Sequence, residues 1–173
     1  MGQVSHFNIN LDSGNIYFAS RFLRRKPQCD TDAMRLIRQV VVFDAGEVAA
    51  ESAFWAALLD GRVVNEEDQQ FHCVVDSGGQ WRIGVQHAPD HTPPEWPDGN
   101  PQQQVHIDLH VDDGNAWHRR ALTLGATVLQ DGDLGAAEGH IVYADPAGHP
   151  FCIGWGQPDE AELRRFLDTL PAD

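Results

Sequence analysis

The clearest order in the chain lies between residues 35 and 155, where short β-branched and aromatic runs surround two stretches of helical periodicity. Leu36 to Phe43 is dense in valine and predicts a strand, which Asp44-Ala45-Gly46 breaks. Glu47 to Leu59 then places Val48, Phe54, Trp55, Leu58 and Leu59 on one helical face. Gly61 supplies a C-terminal stop and Val63-Val64 starts a short strand. Phe71–Val75 and Trp81–Gln86 are two further strands, divided by the turn Asp76-Ser77-Gly78-Gly79.

A proline-rich connection, His87 to Gln104, carries Pro89, Pro93, Pro94, Pro97 and Pro101 and reads as a connecting loop. The series then returns. Val105 to Val111 alternates strictly, and Asp112-Asp113 precede a helix with Trp117, Ala121 and Leu124 on one face. Gly125 ends that helix, and Ala126–Leu129, His140–Ala144 and Phe151–Trp155 complete the series around the turn Asp145-Pro146-Ala147-Gly148. Leu59-Asp60-Gly61 answers Thr123-Leu124-Gly125, Ile83-Gly84 answers Ile153-Gly154, and Trp81 answers Phe151. The repeat predicts an α+β fold of two βαβββ units, 34–88 and 104–156, forming a curved mixed sheet around a pocket.

The flanks differ. Residues 1–33 read as a hairpin or a mobile tail with a basic knot at Arg21, Arg24, Arg25 and Lys26, so the domain is expected to open at Met34. Residues 157–173 predict a C-terminal helix, begun by Pro158-Asp159 and striped with Leu163, Phe166, Leu167 and Leu170.

Charge narrows the partners. With 26 acidic against 12 basic residues the net charge is −14, a field that repels phosphate backbones and anionic lipid. Nucleic acid and membrane surfaces are therefore excluded as expected partners, and a small molecule is favoured. Cys29, Cys73 and Cys152 form no CxxC pair and are expected to be reduced thiols. With neither an apolar run of about 18 residues nor a basic-then-apolar leader, the expected location is the cytoplasm. No GxSxG elbow, P-loop or HExxH helix is present.

The strings Arg38–Asp44, His106–Asp113, Leu124-Gly125-Ala126 and Asp145–Ile153, set in paired βαβββ units, resemble the vicinal oxygen chelate superfamily. That superfamily includes glyoxalase I, bleomycin-resistance proteins and extradiol dioxygenases. The resemblance extends over about residues 35–156 and is nearest to small bacterial glyoxalase-like domain proteins. It implies the same fold, but one scaffold serves many chemistries. In metal-dependent members the ligands come from the first and fourth strands of each unit. Those positions fall here on Gln39, about Gly84, His106 and about Gly154. Glycine offers no donor, so the resemblance implies a dismantled metal site, and no cofactor is the favoured expectation.

Alternation places His106, Asp108 and His110 on one face of their strand, taken as the pocket face. Neighbours at i and i+2 lie about 7 Å apart and can close on one ion, whereas i and i+4 cannot. A divalent metal on Gln39, His106 and Asp108, with Gln86 nearby, is the alternative. Without metal, His106 and Asp108 are a candidate acid–base pair, or simply a polar contact for a ligand. Phe43, Arg82, Gly84, Gln86, His110 and Gly154, with Gln39, are the candidate ligand-binding residues: Arg82 as a cation, the glycines as space, the aromatics Phe43, Trp81, Phe151 and Trp155 as walls. Trp55 and Trp117, placed mid-helix, are expected in the core, and His87, His91 and Trp96 on a plain connector.

The favoured reading is a metal-free protein that binds or sequesters a small organic ligand. A lyase- or isomerase-type enzyme using His106 and Asp108 is the alternative, and a dimeric regulatory module with a vestigial pocket the third. A homodimer is preferred over a monomer.

Overall fold

The computed structural model describes residues 36–168. The chain divides between Ile37 and Arg38, and residues from Arg38 onward make one unit. The hairpin or tail expected for 1–33 lies outside the described residues.

The order is β1 (Val41–Ala45), α1 (Val48–Leu58), β2 (Arg62–Val63), β3 (Phe71–Val75), β4 (Trp81–His87), β5 (Ile107–Val111), α2 (Gly114–Thr123), β6 (Thr127–Gln130), β7 (Gly139–Ala144), β8 (Pro150–Trp155) and α3 (Glu160–Leu167). Two βαβββ units are present, as the repeat predicts. Their strands form two four-stranded mixed sheets, ordered β1-β4-β3-β2 and β5-β8-β7-β6, each with one parallel pair. β1 begins later than the apolar run because its partner β4 offers Ile83–His87 to Val41–Ala45 and nothing to the residues before. That pairing also carries β1 through Asp44 and Ala45, which the sequence reads as a break.

Helix ends correct one equivalence between the units. α2 closes with Ala126 N–H donating to the Ala121 carbonyl at 3.0 Å, around Gly125 at φ +104°. α1 closes with Gly61 N–H donating to the Ala56 carbonyl at 2.8 Å, but its left-handed residue is Asp60 at φ +53°. Asp60 therefore answers Gly125, and Gly61 answers Ala126. Gly61 is small for a different reason: a Cβ there would lie 2.1 Å from the Val75 carbonyl oxygen. α3 opens with reciprocal bonds between Asp159 and Glu162, at 2.7 and 3.0 Å. The side chains of its expected apolar stripe lie outside the described residues.

The core lies where the two units meet. Trp55 of α1 is fully buried, stacks on Phe43 at 5.3 Å and meets Phe151 of β8 edge-on at 5.2 Å. Phe54 and Tyr143 extend the same aromatic cluster. Trp117 is only half-buried, with the Arg120 guanidinium 6.0 Å from its ring. No described helix is long and apolar enough to cross a membrane.

Candidate functional site

β5 alternates as expected. Asp108 and His110 face outward while Ile107, Leu109 and Val111 turn toward the core. Parallel pairing with β8 sets Asp108 beside Cys152 and His110 beside Gly154, and antiparallel β7 adds His140 beside Gly154 and Val142 beside Cys152. These side chains line a cavity of about 660 Å³ together with His106, Glu138 and Trp96.

His106 Nε2 lies 3.3 Å from Asp108 Oδ1, and its other ring nitrogen lies 3.0 Å from the Gln103 amide nitrogen. An amide nitrogen donating to Nδ1 puts the ring proton on Nε2, aimed at Asp108. Turned over, the amide oxygen accepts from Nδ1–H and frees the Nε2 lone pair. Either way Gln103 fixes the imidazole plane. Cys152 is buried, and its thiol is pushed up to about 11, first by burial and then by the hydrogen bond and charge of Asp108. It is a protonated donor at neutral pH. Trp96 meets His106 edge-on at 5.9 Å, and its indole N–H is buried with no partner among the described residues.

The expected site residues separate into two groups. His106, Asp108, His110 and Gly154 come together around this cavity. A Cβ at Gly154 would meet its nearest neighbour, His110 Nδ1, at 3.4 Å, so the glycine does leave open floor there. The first sheet behaves otherwise. A Cβ on Gly84 would lie 2.7 Å from the Phe71 ring, which fills the space the missing side chain was expected to leave. Gln86 is exposed, its amide 3.4 Å from the Asp44 carboxylate. Arg82 is bound to Asp76 at 2.7 Å; it is absent from the residues lining this cavity but borders a separate one of about 630 Å³ that Asp108 and His110 also border. Gln39 is exposed ahead of β1 and does not line it either.

The expected aromatic walls are not among the residues lining this cavity, and Phe43 borders another of about 540 Å³. Phe43, Phe151 and Trp155 are buried, Phe43 between Trp55 and His149. Their positions alternate onto the face that packs inward, and apolar rings gain more there than in an open cavity. Trp81 is half-buried and donates its indole N–H to the Ile83 carbonyl at 2.7 Å.

These positions do not hold the donors that the family resemblance implies for a metal. Gly84 and Gly154 present no donor, and Gln39 is not among the residues lining the cavity that holds His106, so the usual set does not fit. A different set does stand together: His106, Asp108 and Cys152 have ligand atoms within 4.8 Å of one another. Cys152 escaped the sequence reading because only the β5–β8 register brings it to Asp108. Trp96 escaped it because a loop of prolines carries no periodicity.

A second polar cluster is wholly internal. Trp55 Nε1–H donates to Glu51 Oε1 at 2.7 Å and to Asp145 Oδ2 at 3.2 Å, while Ala147 N–H donates to Glu51 Oε2 at 3.0 Å. Ser52 Oγ lies 2.6 Å from His72 Nδ1, both buried. Closed off from solvent, this serine–histidine contact is a core hydrogen bond rather than a nucleophile.

A family model described as a glyoxalase-like domain matches residues 40–154. No curated protein matches the chain. Among solved structures, a glyoxalase/bleomycin resistance protein/dioxygenase family enzyme from Burkholderia phytofirmans PsJN is similar with a TM-score of 0.52 and 18% identity, covering 68% of this chain and 97% of that one. Fosfomycin resistance protein FosX from Mesorhizobium loti gives 0.54 at 15% identity, over 77% and 99% of the two chains. FosX from Listeria monocytogenes, complexed with Mn(II) and sulfate, gives 0.50 at 12% identity, over 76% and 99%. At such identities the likeness is one of fold.

Proposed function

Because the chain belongs to the glyoxalase-like domain family, and with it to the vicinal oxygen chelate superfamily, we propose that it binds a small organic molecule on the open face of its second sheet, without the family's usual metal ligands. The supporting observation is the row His106, Asp108 and His110 over a cavity of about 660 Å³ whose floor is left open at Gly154. A cavity of that size suits a ligand of drug-like dimensions. Its lining includes Asp108 and Glu138 but neither arginine nor lysine. A neutral or cationic ligand is therefore favoured, and a dianionic phosphonate such as fosfomycin disfavoured.

The test is thermal unfolding in a chelator with a panel of neutral and cationic aromatic metabolites and antibiotics, fosfomycin serving as the anionic contrast. A ligand at a hundredfold excess over its Kd stabilises by about 2.7 kcal/mol. That shift is expected to vanish in His106→Ala, whose exposed position leaves the fold's own stability within about 0.5 kcal/mol. Shifts from no panel member, or shifts indifferent to His106→Ala, would sink the reading.

The 3.3 Å contact between His106 and Asp108 favours a second reading, a lyase- or isomerase-type enzyme in which the pair moves a proton. Loss of turnover with retained ligand binding in Asp108→Asn would distinguish it from simple sequestration. Cys73 and Cys152 are free and buried, which suits a reducing cytoplasm. β1 and β5 each end their sheet, and among the described strands neither pairs with a second neighbour. Such edges invite cover, and a second copy of the chain is the proposed cover. Light scattering giving the mass of one chain at micromolar concentration would exclude the dimer.

A further inference from the structure

We propose that His106, Asp108 and Cys152 form a site for a borderline-soft divalent cation of the zinc type, built on one sheet rather than across both. The inference rests on the reading of this face as the binding surface, and it adds the cation class that the face would take.

Register builds the site. Asp108 and Cys152 are direct partners across the parallel β5–β8 pair, so their side chains leave the sheet together on the open face. His106 stands two residues before Asp108, with Nε2 already 3.3 Å from the carboxylate. All three ligand atoms lie within 4.8 Å of one another. Tetrahedral bonds of about 2.0–2.3 Å call for donor separations of about 3.5 Å. The widest pair needs to close by about 1.3 Å at most, within reach of rotation of the two exposed side chains, His106 and Asp108.

The donor set selects the ion. One sulfur, one imidazole nitrogen and one carboxylate oxygen suit zinc or cobalt, whereas magnesium and calcium take oxygen almost exclusively. On binding, Cys152 gives its thiol proton to solvent, and thiolate plus carboxylate neutralise the 2+ charge. Three protein donors leave the fourth position open toward the cavity. Gln103, 3.0 Å from His106 Nδ1, supplies the outer contact that orients a ligating histidine when its amide is turned so that the oxygen accepts from Nδ1–H and leaves Nε2 free for the ion.

The test is a Co²⁺ titration of the full chain, freed of any metal-binding tag, read by absorbance. One equivalent is expected to give the near-ultraviolet thiolate-to-cobalt band together with tetrahedral visible bands, displaced by Zn²⁺. The thiolate band should disappear in Cys152→Ser and persist in Cys73→Ser and Cys29→Ser. His106→Ala, at an exposed position that does not support the fold, should weaken Co²⁺ binding at least about tenfold. No thiolate band in the native protein, a band surviving Cys152→Ser, or affinity unchanged in His106→Ala would each overturn the site. The chelator experiment on organic ligands is independent: ligand binding there with no cobalt site defeats this inference alone, and a cobalt site with no organic ligand defeats only the broader reading.

Discussion

Glu51 of α1 and Asp145 of the turn between β7 and β8 meet inside the core, joined by the indole N–H of Trp55 at 2.7 and 3.2 Å. The contact ties the helix of the first unit to a turn of the second. Burial first, then the hydrogen bond and charge of Asp145, push Glu51 up to about 8, and burial raises Asp145 as well. Two carboxyls so placed hold one proton at neutral pH.

That proton makes stability fall with rising pH. In the unfolded chain Glu51 loses its proton near pH 4, so its contribution is complete below that and is lost as pH rises through about 8. His149 works in the opposite sense: burial lowers its imidazole, so its contribution is lost on acidification below the usual histidine range. The interval from pH 7 to 8 therefore isolates Glu51. Urea unfolding is expected to show a loss of about 1 kcal/mol across it. Glu51→Gln should flatten that slope, and a wild-type slope of zero would show that the pair does not share a proton.

Ser52→Ala removes the hydroxyl against His72 Nδ1 and leaves a buried ring nitrogen without its partner. The expected cost is about 1–3 kcal/mol. Calorimetry should record a lower Tm while small-molecule binding is unchanged. Lost binding without lost stability would instead point to a functional role for the serine.

Gly84 and Gly154 hold equivalent places in the repeat but differ in their surroundings. Gly84→Ala forces its methyl against Phe71 and Val42, at 2.7 and 3.1 Å, and is expected to cost about 1–2 kcal/mol. Gly154→Ala meets only ordinary contacts and should remain within about 0.5 kcal/mol of the native protein. Equal effects in thermal unfolding would mean that Phe71 does not occupy the space above Gly84.

Sequence alone determined the units and their faces. Alternation along Ile107–Val111 sorts outward Asp108 and His110 from inward leucine and valine, because a strand's period is two wherever it lies. The repeat of strand, helix and three strands follows from the same local periodicities. Tertiary structure decided which outward residues share a site. Cys152 joins Asp108 through pairing register, a property of two strands that neither carries by itself. Phe43 and Phe151, read as pocket walls, are drawn inward by Trp55, whose indole fills the junction between the units. Glu51 sits on an apolar helix face where periodicity marks only a polar interruption. Its burial became tolerable because the Trp55 indole N–H and the Ala147 N–H, the latter from a distant turn, donate to its two oxygens, while Asp145 of the same turn helps to keep it protonated.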